Sequence, residues 1–344
     1  MAIISISVGL VIPVAAHAAG TTWQEEPLAV AIERAQRDGK WVLVDVYASW
    51  CVPCQKMDSE VYPRDEVGRA VSAGFVALRR DGESGEGLAI AQRYHVVGFP
   101  TLLVLDGKGV EIDRMMGGLS ASELVLKLTR MREGNGTLAQ LEQEVERAPS
   151  DALKLEVAMR HAMRGDARAV VELTEVVRID PMNQSHRAAS ALLTLGKYFY
   201  LRGTKDYPHA ESTLLELEKR FPTTDEASQA TYARAVAIQH MGRSKDAQAL
   251  LDDWMAKAPK DEERVAASAW FCFKEGGDKA RGIEIAKRGL VEWPNEDGLW
   301  DTLGELYLLS GKPVLARQAF AKAAELVPKS DYYRAQLKKV GGTQ

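Results

Sequence analysis

Six prolines divide the second half of the chain at near-regular intervals. Pro149, Pro181, Pro222, Pro259, Pro294 and Pro328 lie 32, 41, 37, 35 and 34 residues apart. A proline ends a helix because its ring removes a backbone donor and blocks the preceding turn. Between these stops the sequence reads as helix after helix, without strand-like runs. A period of this length in helical sequence confines the fold to a stacked array of helical hairpins, since one hairpin alone cannot bury its apolar face. The last unit carries the pattern most fully, with Trp300, Leu303-Gly304, Tyr307, Ala316, Phe320, Ala323 and Pro328. Small residues let its two helices approach, and large ones fill the groove between them. The unit ending at Pro259 keeps Ala235, Ala247 and Leu251. The unit ending at Pro222 keeps Leu195-Gly196, Phe199 and Ala210 with a small insertion, and the units ending at Pro181 and Pro294 are degenerate.

This pattern resembles the tetratricopeptide repeat (TPR) family. The resemblance implies an all-α superhelix over residues 137–344, with five repeats and a terminal helix around Tyr332 to Val340, and it implies protein docking on that surface. Tyr198, Phe199 and Tyr200 then belong to the repeat core. Cys272, set among Ala269, Trp270, Phe271 and Phe273, reads as a small buried hydrophobe.

Ahead of Glu133-Gly-Asn-Gly136 the character is different. Trp41-Val-Leu-Val-Asp-Val-Tyr47 is too continuously apolar for a half-exposed strand and reads as a buried central one. Around it the pattern predicts helices over 27–38, 48–62, 65–73, 87–94 and 120–131. Further strands are predicted at 75–79, 101–106 and 110–115, the last two joined by the tight turn Asp106-Gly-Lys-Gly109. Residues 19–133 should therefore form an α/β domain with a mixed sheet. Asp81-Gly-Glu-Ser-Gly-Glu-Gly87 lacks the Lys-Ser/Thr of a phosphate loop and reads as a surface turn.

Two of the three cysteines, Cys51 and Cys54, stand where the buried strand gives way to a helix. There the unpaired N–H groups and helix dipole stabilise a thiolate on the first sulfur, and the second lies nearly one turn away. Zinc would need two more ligands, yet only Cys272 remains and the six histidines are scattered. An inert structural disulfide and a redox pair both fit this spacing alone.

The run Val44-Asp45-Val46-Tyr47-Ala48-Ser49-Trp50-Cys51-Val52-Pro53-Cys54 resembles the active-site strand and helix of the thioredoxin superfamily. Gly98-Phe99-Pro100-Thr101 is similar to that family's cis-proline loop, and Gly118 stands before the last helix. The likeness covers about residues 23–132 and is nearest to the C-terminal domain of the DsbD family and related exported reductases. It implies Cys51 as the attacking thiolate, Cys54 as the resolving thiol and Pro100 as the cis-proline beside them. Asp45, buried on the strand, would carry a proton to or from Cys54, unless it lies at an exposed strand end. Trp50 and Phe99 would supply substrate-binding surface, although Trp50 could equally be packing. Phe99 is bulkier than the family's usual residue there. Asp58, four residues after Cys54, fits both a tuning role and a solvated helix face. No cofactor and no metal are implied.

The N-terminus bears on compartment. Ala2 to Ala16 is apolar and ends in Ala16-His17-Ala18-Ala19, as a secretory signal peptide over residues 1–18 would, although no Lys or Arg precedes the apolar core. An uncleaved N-terminal anchor and an ordinary cytosolic end are the alternatives. With 46% hydrophobic and 27% charged residues the chain is a packed protein, not a disordered or collagenous one. A net charge of −4 provides no field for nucleic acid. The expected function is an exported, periplasmic thiol–disulfide oxidoreductase, a protein-disulfide reductase or isomerase. It would act on cysteine-containing clients, be recharged by an upstream thiol electron donor, and dock a partner on its repeats. The competing expectation is a binding or chaperone-like scaffold with a mainly structural thioredoxin fold.

Overall fold

The computed structural model describes residues 20–341. The signal-peptide expectation therefore lies outside the described residues. Two compact units emerge. One runs through Gly87 and resumes over Phe99–Thr137; the other combines Leu88–Gly98 with the chain from Leu138 onward.

The first unit is built on α1 (Leu28–Arg37), β1 (Trp41–Tyr47), α2 (Val52–Glu60), α3 (Asp65–Gly74), β2 (Phe75–Asp81), the start of α4 (Gly85–Arg93), β3 (Thr101–Leu105), β4 (Glu111–Met116) and α5 (Ala121–Arg132). The sheet order is β2-β1-β3-β4. β1 pairs in parallel with β2 and antiparallel with β3, which makes the sheet mixed and β1 central. That place explains its composition. All five residues from Val42 to Val46 are buried, so alternation with polar residues has no use there. One side chain in this run, Asp45, is nevertheless polar. Leu43, Leu102, Val104 and Met115 pack with Met57, Val71, Leu124 and Leu128 in one core cluster. Helix α5 starts on a capping box in which the Ser120 and Glu123 side chains satisfy each other's backbone N–H groups.

The second unit continues with α6 (Leu138–Arg147), α7 (Asp151–Ala162) and α8 (Arg168–Ile179). α9 (Arg187–Leu193) passes directly into a wider π-type winding over Thr194–Thr204, followed by α10 (Tyr207–Arg220). Next come α11 (Asp225–His240), α12 (Ser244–Lys257), α13 (Glu262–Lys274), α14 (Lys279–Glu292), α15 (Asp297–Leu309), α16 (Pro313–Leu326) and α17 (Asp331–Lys339). Each marker proline from Pro181 onward falls just after the second helix of a hairpin. The five hairpins are α7/α8, α9 with its π segment/α10, α11/α12, α13/α14 and α15/α16. The longest proline interval coincides with the π winding.

The repeat logic is visible in the last hairpin. A Cβ on Gly304 would come 2.5 Å from Phe320 Cε1, so only glycine lets α15 and α16 close on that ring. Helix α17 then covers a polar row on α15. Gln336 donates to Asp301 at 3.2 Å and to Glu305 at 2.5 Å, and Lys339 Nζ pairs with Glu305 at 3.0 Å. Cys272 is buried, its thiol pushed up to about 11 chiefly by that burial, which makes it inert packing. Among the described residues no helix is long and apolar enough to cross a membrane.

Candidate active site

The chain leaves β1 at Tyr47, turns through Ala48–Cys51, and starts α2 at Val52, later than the helix expected from Ala48. The reason is local. Cys51 is the cap residue, extended in backbone, and its sulfur accepts the Cys54 N–H at 3.2 Å, while Pro53 occupies the first turn, where a missing N–H is harmless. Cys51 and Cys54 are joined by a disulfide with their Cα atoms 5.2 Å apart. At 3% and 2% exposure both are recessed, packed with Ala48 against Tyr47, Trp50 and Phe99.

The Phe99–Pro100 peptide bond is cis. The Pro100 carbonyl accepts from Gly117 N at 2.9 Å, which ties the loop to the end of β4. Gly118 follows against Pro53, where a Cβ would meet the proline ring at ordinary contact distance. Trp50 and Phe99 meet edge-on with centroids 6.1 Å apart. Trp50 does more than pack, because its indole Nε1 donates to Glu83 Oε2 at 2.6 Å. The Asp81–Gly87 segment is thus no mere surface turn. Gly82 is buried beneath Phe99, and a Cβ there would lie 2.5 Å from Phe99 Cε1 and 2.9 Å from Val46 Cγ1. The loop after β2 forms a wall of the aromatic surface beside the sulfurs.

Asp45 sits in the middle of β1 at 1% exposure, which removes the exposed-strand-end reading. Burial, the largest influence, pushes its carboxyl up to about 6, against the pull of the Arg79 guanidinium. Its Oδ2 accepts from Arg79 Nε at 3.1 Å. The Tyr62 hydroxyl also favours the ionised form, but Oδ1 meets no donor in hydrogen-bonding geometry. Oδ2 is anchored by Arg79 while buried Oδ1 keeps spare acceptor capacity, an arrangement suited to taking up a proton. Asp58 is half-buried rather than fully solvated, and it accepts from Arg79 Nη2 at 2.6 Å.

Arg79, Gly82 and Glu83 were not apparent from sequence as parts of the site. The only signal for Arg79 was a cation directly after the apolar run Phe75–Leu78. Its place opposite Asp45 depends on the β1–β2 register, which the sequence does not print.

Parts of the chain are similar to known proteins. Residues 22–107 match the family model described as Thioredoxin-like. A thiol:disulfide interchange protein DsbD of a Pseudomonas species (strain JR1 / K1) is 30% identical over 126 residues, 36% of this chain and 22% of that protein. A thioredoxin from Thermus thermophilus is 29% identical over 34% of this chain and 91% of its own, with a TM-score of 0.31. A thermophilic TPR protein, also of Thermus thermophilus, is 18% identical over 56% of this chain and 98% of its own, with a TM-score of 0.40. The chain spans about a fifth of the length of the curated relatives it matches. The domain that carries Cys51, Cys54 and Pro100 is thioredoxin-like. The helices that follow it have the architecture of tetratricopeptide-like hairpins.

Proposed function

We propose that the protein is an exported protein-disulfide reductase or isomerase in which Cys51 and Cys54 exchange electrons with client cysteines and the hairpin array docks a partner protein. The observation that carries this reading is Cys51 as the cap of α2, disulfide-bonded to Cys54 and packed against Trp50 and Phe99. In the reduced state, the helix N-terminus stabilises a Cys51 thiolate. That thiolate attacks one sulfur of a client disulfide, and the other client sulfur leaves as a thiolate. Cys54 passes its proton to Asp45 Oδ1, and its sulfur attacks Cys51 Sγ. The client's second thiolate departs and the Cys51–Cys54 disulfide forms, so two electrons have moved from the enzyme to the client. An upstream thiol donor restores the dithiol.

Pro100 and Phe99 support the binding half of the proposal. Phe99 makes no backbone hydrogen bond among the described residues, so its peptide edge is open to an extended client segment. Trp50 and the Phe99 ring offer apolar contact beside the scissile disulfide. We assign residues 19–133 to the redox domain and 137–344 to docking.

The test is trapping in the full-length protein. Cys54→Ser should hold clients as mixed disulfides on Cys51, and Cys51→Ser should hold none. Insulin reduction should be present in the wild type and absent in Cys51→Ser. Absence of reduction from both proteins would instead support the scaffold reading.

A further inference from the structure

Helix α17 closes the array differently from the helices inside it. Val265 and Ala269 of α13 share one apolar cluster with Leu299 and Leu303 of α15, whereas the seam between α15 and α17 is largely polar. Asp297, Asp301 and Glu305 stand one helical turn apart on α15, and α17 meets all three. The Tyr333 hydroxyl donates to Asp297, the Tyr332 hydroxyl donates to Asp301 Oδ2 at 3.0 Å, and Lys339 reaches Glu305. Gln336 Nε2 lies within hydrogen-bonding distance of oxygens on Asp301, Glu305 and Tyr332, yet it carries two hydrogens for three acceptors. A single cation thus serves three carboxylates, and Lys339 is half exposed while Asp301 and Glu305 are buried. Like charges at this spacing repel, and burial adds to the cost of ionising them all.

We propose that α17 is a pH-operated strap, which lies on α15 while Asp301 holds a proton and lifts as that proton is lost, uncovering the end face of the last hairpin. Its bearing on partner access rests on the docking reading; the lifting itself does not. The groups around Asp301 are Tyr332, Gln336 and Lys339 from α17 and Glu305 from α15 itself. The packed faces of α13, α14 and α16 bring apolar residues, among them Ala269, Ile285 and Phe320. Two charged groups nearby face elsewhere. Lys287 of α14 lies over the Tyr307 ring, and Glu262 of α13 hydrogen-bonds Glu296 ahead of α15. Burial, the largest influence, pushes the Asp301 carboxyl up to about 7, against the bonds from Tyr332 and Gln336, while the Glu305 charge raises it and Lys339 lowers it. Its ordinary value of 3.8 returns once α17 has lifted, so between the two values the docked form holds the extra proton. The strap is therefore firm below about 4, loosens as pH rises through the interval, and is loosest above about 7.

The experiment is amide hydrogen exchange on the full-length protein between pH 5 and pH 8, corrected for the intrinsic exchange rate at each pH. The opening constant at the α17 amides should rise about 50-fold over that range in the wild type, while α15 and α16 change little. Asp301→Asn keeps the shape and removes the charge, and it should leave a rise of less than about threefold. Glu296 also titrates near 7 but meets Glu262 of α13, so Glu296→Gln should leave the wild-type rise in place. Tyr332→Phe removes a bond that favours the charged form of Asp301, so its rise should be steeper than that of the wild type. That variant keeps the proposal falsifiable if Asp301→Asn misfolds. A flat response in the wild type, an equal rise at α15 and α16, an undiminished rise in Asp301→Asn, or a shallower one in Tyr332→Phe would overturn the strap. No partner is added, so the outcome is independent of whether the array docks one.

Discussion

Asp45→Asn should make the thioredoxin-like unit more stable and the enzyme slower. A carboxyl held near 6 in the fold against an ordinary 3.8 penalises the folded state by about 3 kcal/mol once it is ionised. The sign follows from linkage. Between those two values the folded chain binds the extra proton, so stability falls as pH rises through the interval and stays reduced above about 6. An asparagine keeps the shape and removes the charge, and Arg79 retains Asp58 as a partner. The gain at pH 8 should therefore approach 3 kcal/mol and be nearly gone at pH 4. Because the chain has two compact units, the assay should be local. Hydrogen exchange at the β1 and β3 amides, in oxidised wild type and variant at both pH values, reads the opening free energy of this sheet. In parallel, release of client from the Cys51 mixed disulfide should slow by about 100-fold at neutral pH as the proton acceptor is lost. A variant destabilised at pH 8, or one whose gain is equal at pH 4 and pH 8, would refute the buried-charge reasoning.

Three further outcomes follow from particular contacts. Gly82→Ala places a Cβ 2.5 Å from the Phe99 ring. It should cost about 1–3 kcal/mol through overpacking and lower insulin turnover by displacing Phe99, with exchange and kinetics as the readouts. Gly304→Ala puts a Cβ into Phe320 and should destabilise the last hairpin by a similar amount, about 1–3 kcal/mol, in exchange at α15 and α16, while insulin reduction is unchanged. Equilibration with glutathione should give a potential of about −200 to −270 mV, since Val52-Pro53 offers no histidine to stabilise the Cys51 thiolate further; a value above about −150 mV would contradict a reducing role.

Much of this fold can be read directly from residue order. The proline period and the small-large pattern of the last unit locate the hairpins because both express local geometry, a stopped helix and a close helix crossing. The continuous apolar run Trp41–Tyr47 marks the central strand because two-sided burial leaves no room for alternation. Cys51, Cys54 and Pro100 stand out for a similar reason, being unusual residues at a strand–helix junction and a turn. What stayed hidden depends on pairing across the sheet. Arg79 acquires meaning only when β2 is set in register against β1, and Gly82 only when Phe99 folds over it. The acidic, glycine-rich Asp81–Gly87 stretch is locally indistinguishable from a solvated turn. Its place in the site comes from Val46, Trp50 and Phe99, which lie 17 to 36 residues away in sequence.

The strand order β2-β1-β3-β4 also sets a timetable for the ribosome and for any machinery that threads the chain. β1 is made first of the four yet needs a neighbour on each side. Its second edge is covered only when Thr101–Leu105 arrives, more than fifty residues later. Throughout that interval an extended apolar segment has an open edge, the condition under which strands recruit the wrong partner. Cys51 and Cys54 follow it immediately in the chain, unshielded at that stage and able to pair with foreign cysteines. Holding the nascent segment reduced and unpaired until the third strand emerges is therefore a requirement that the topology places on the cell.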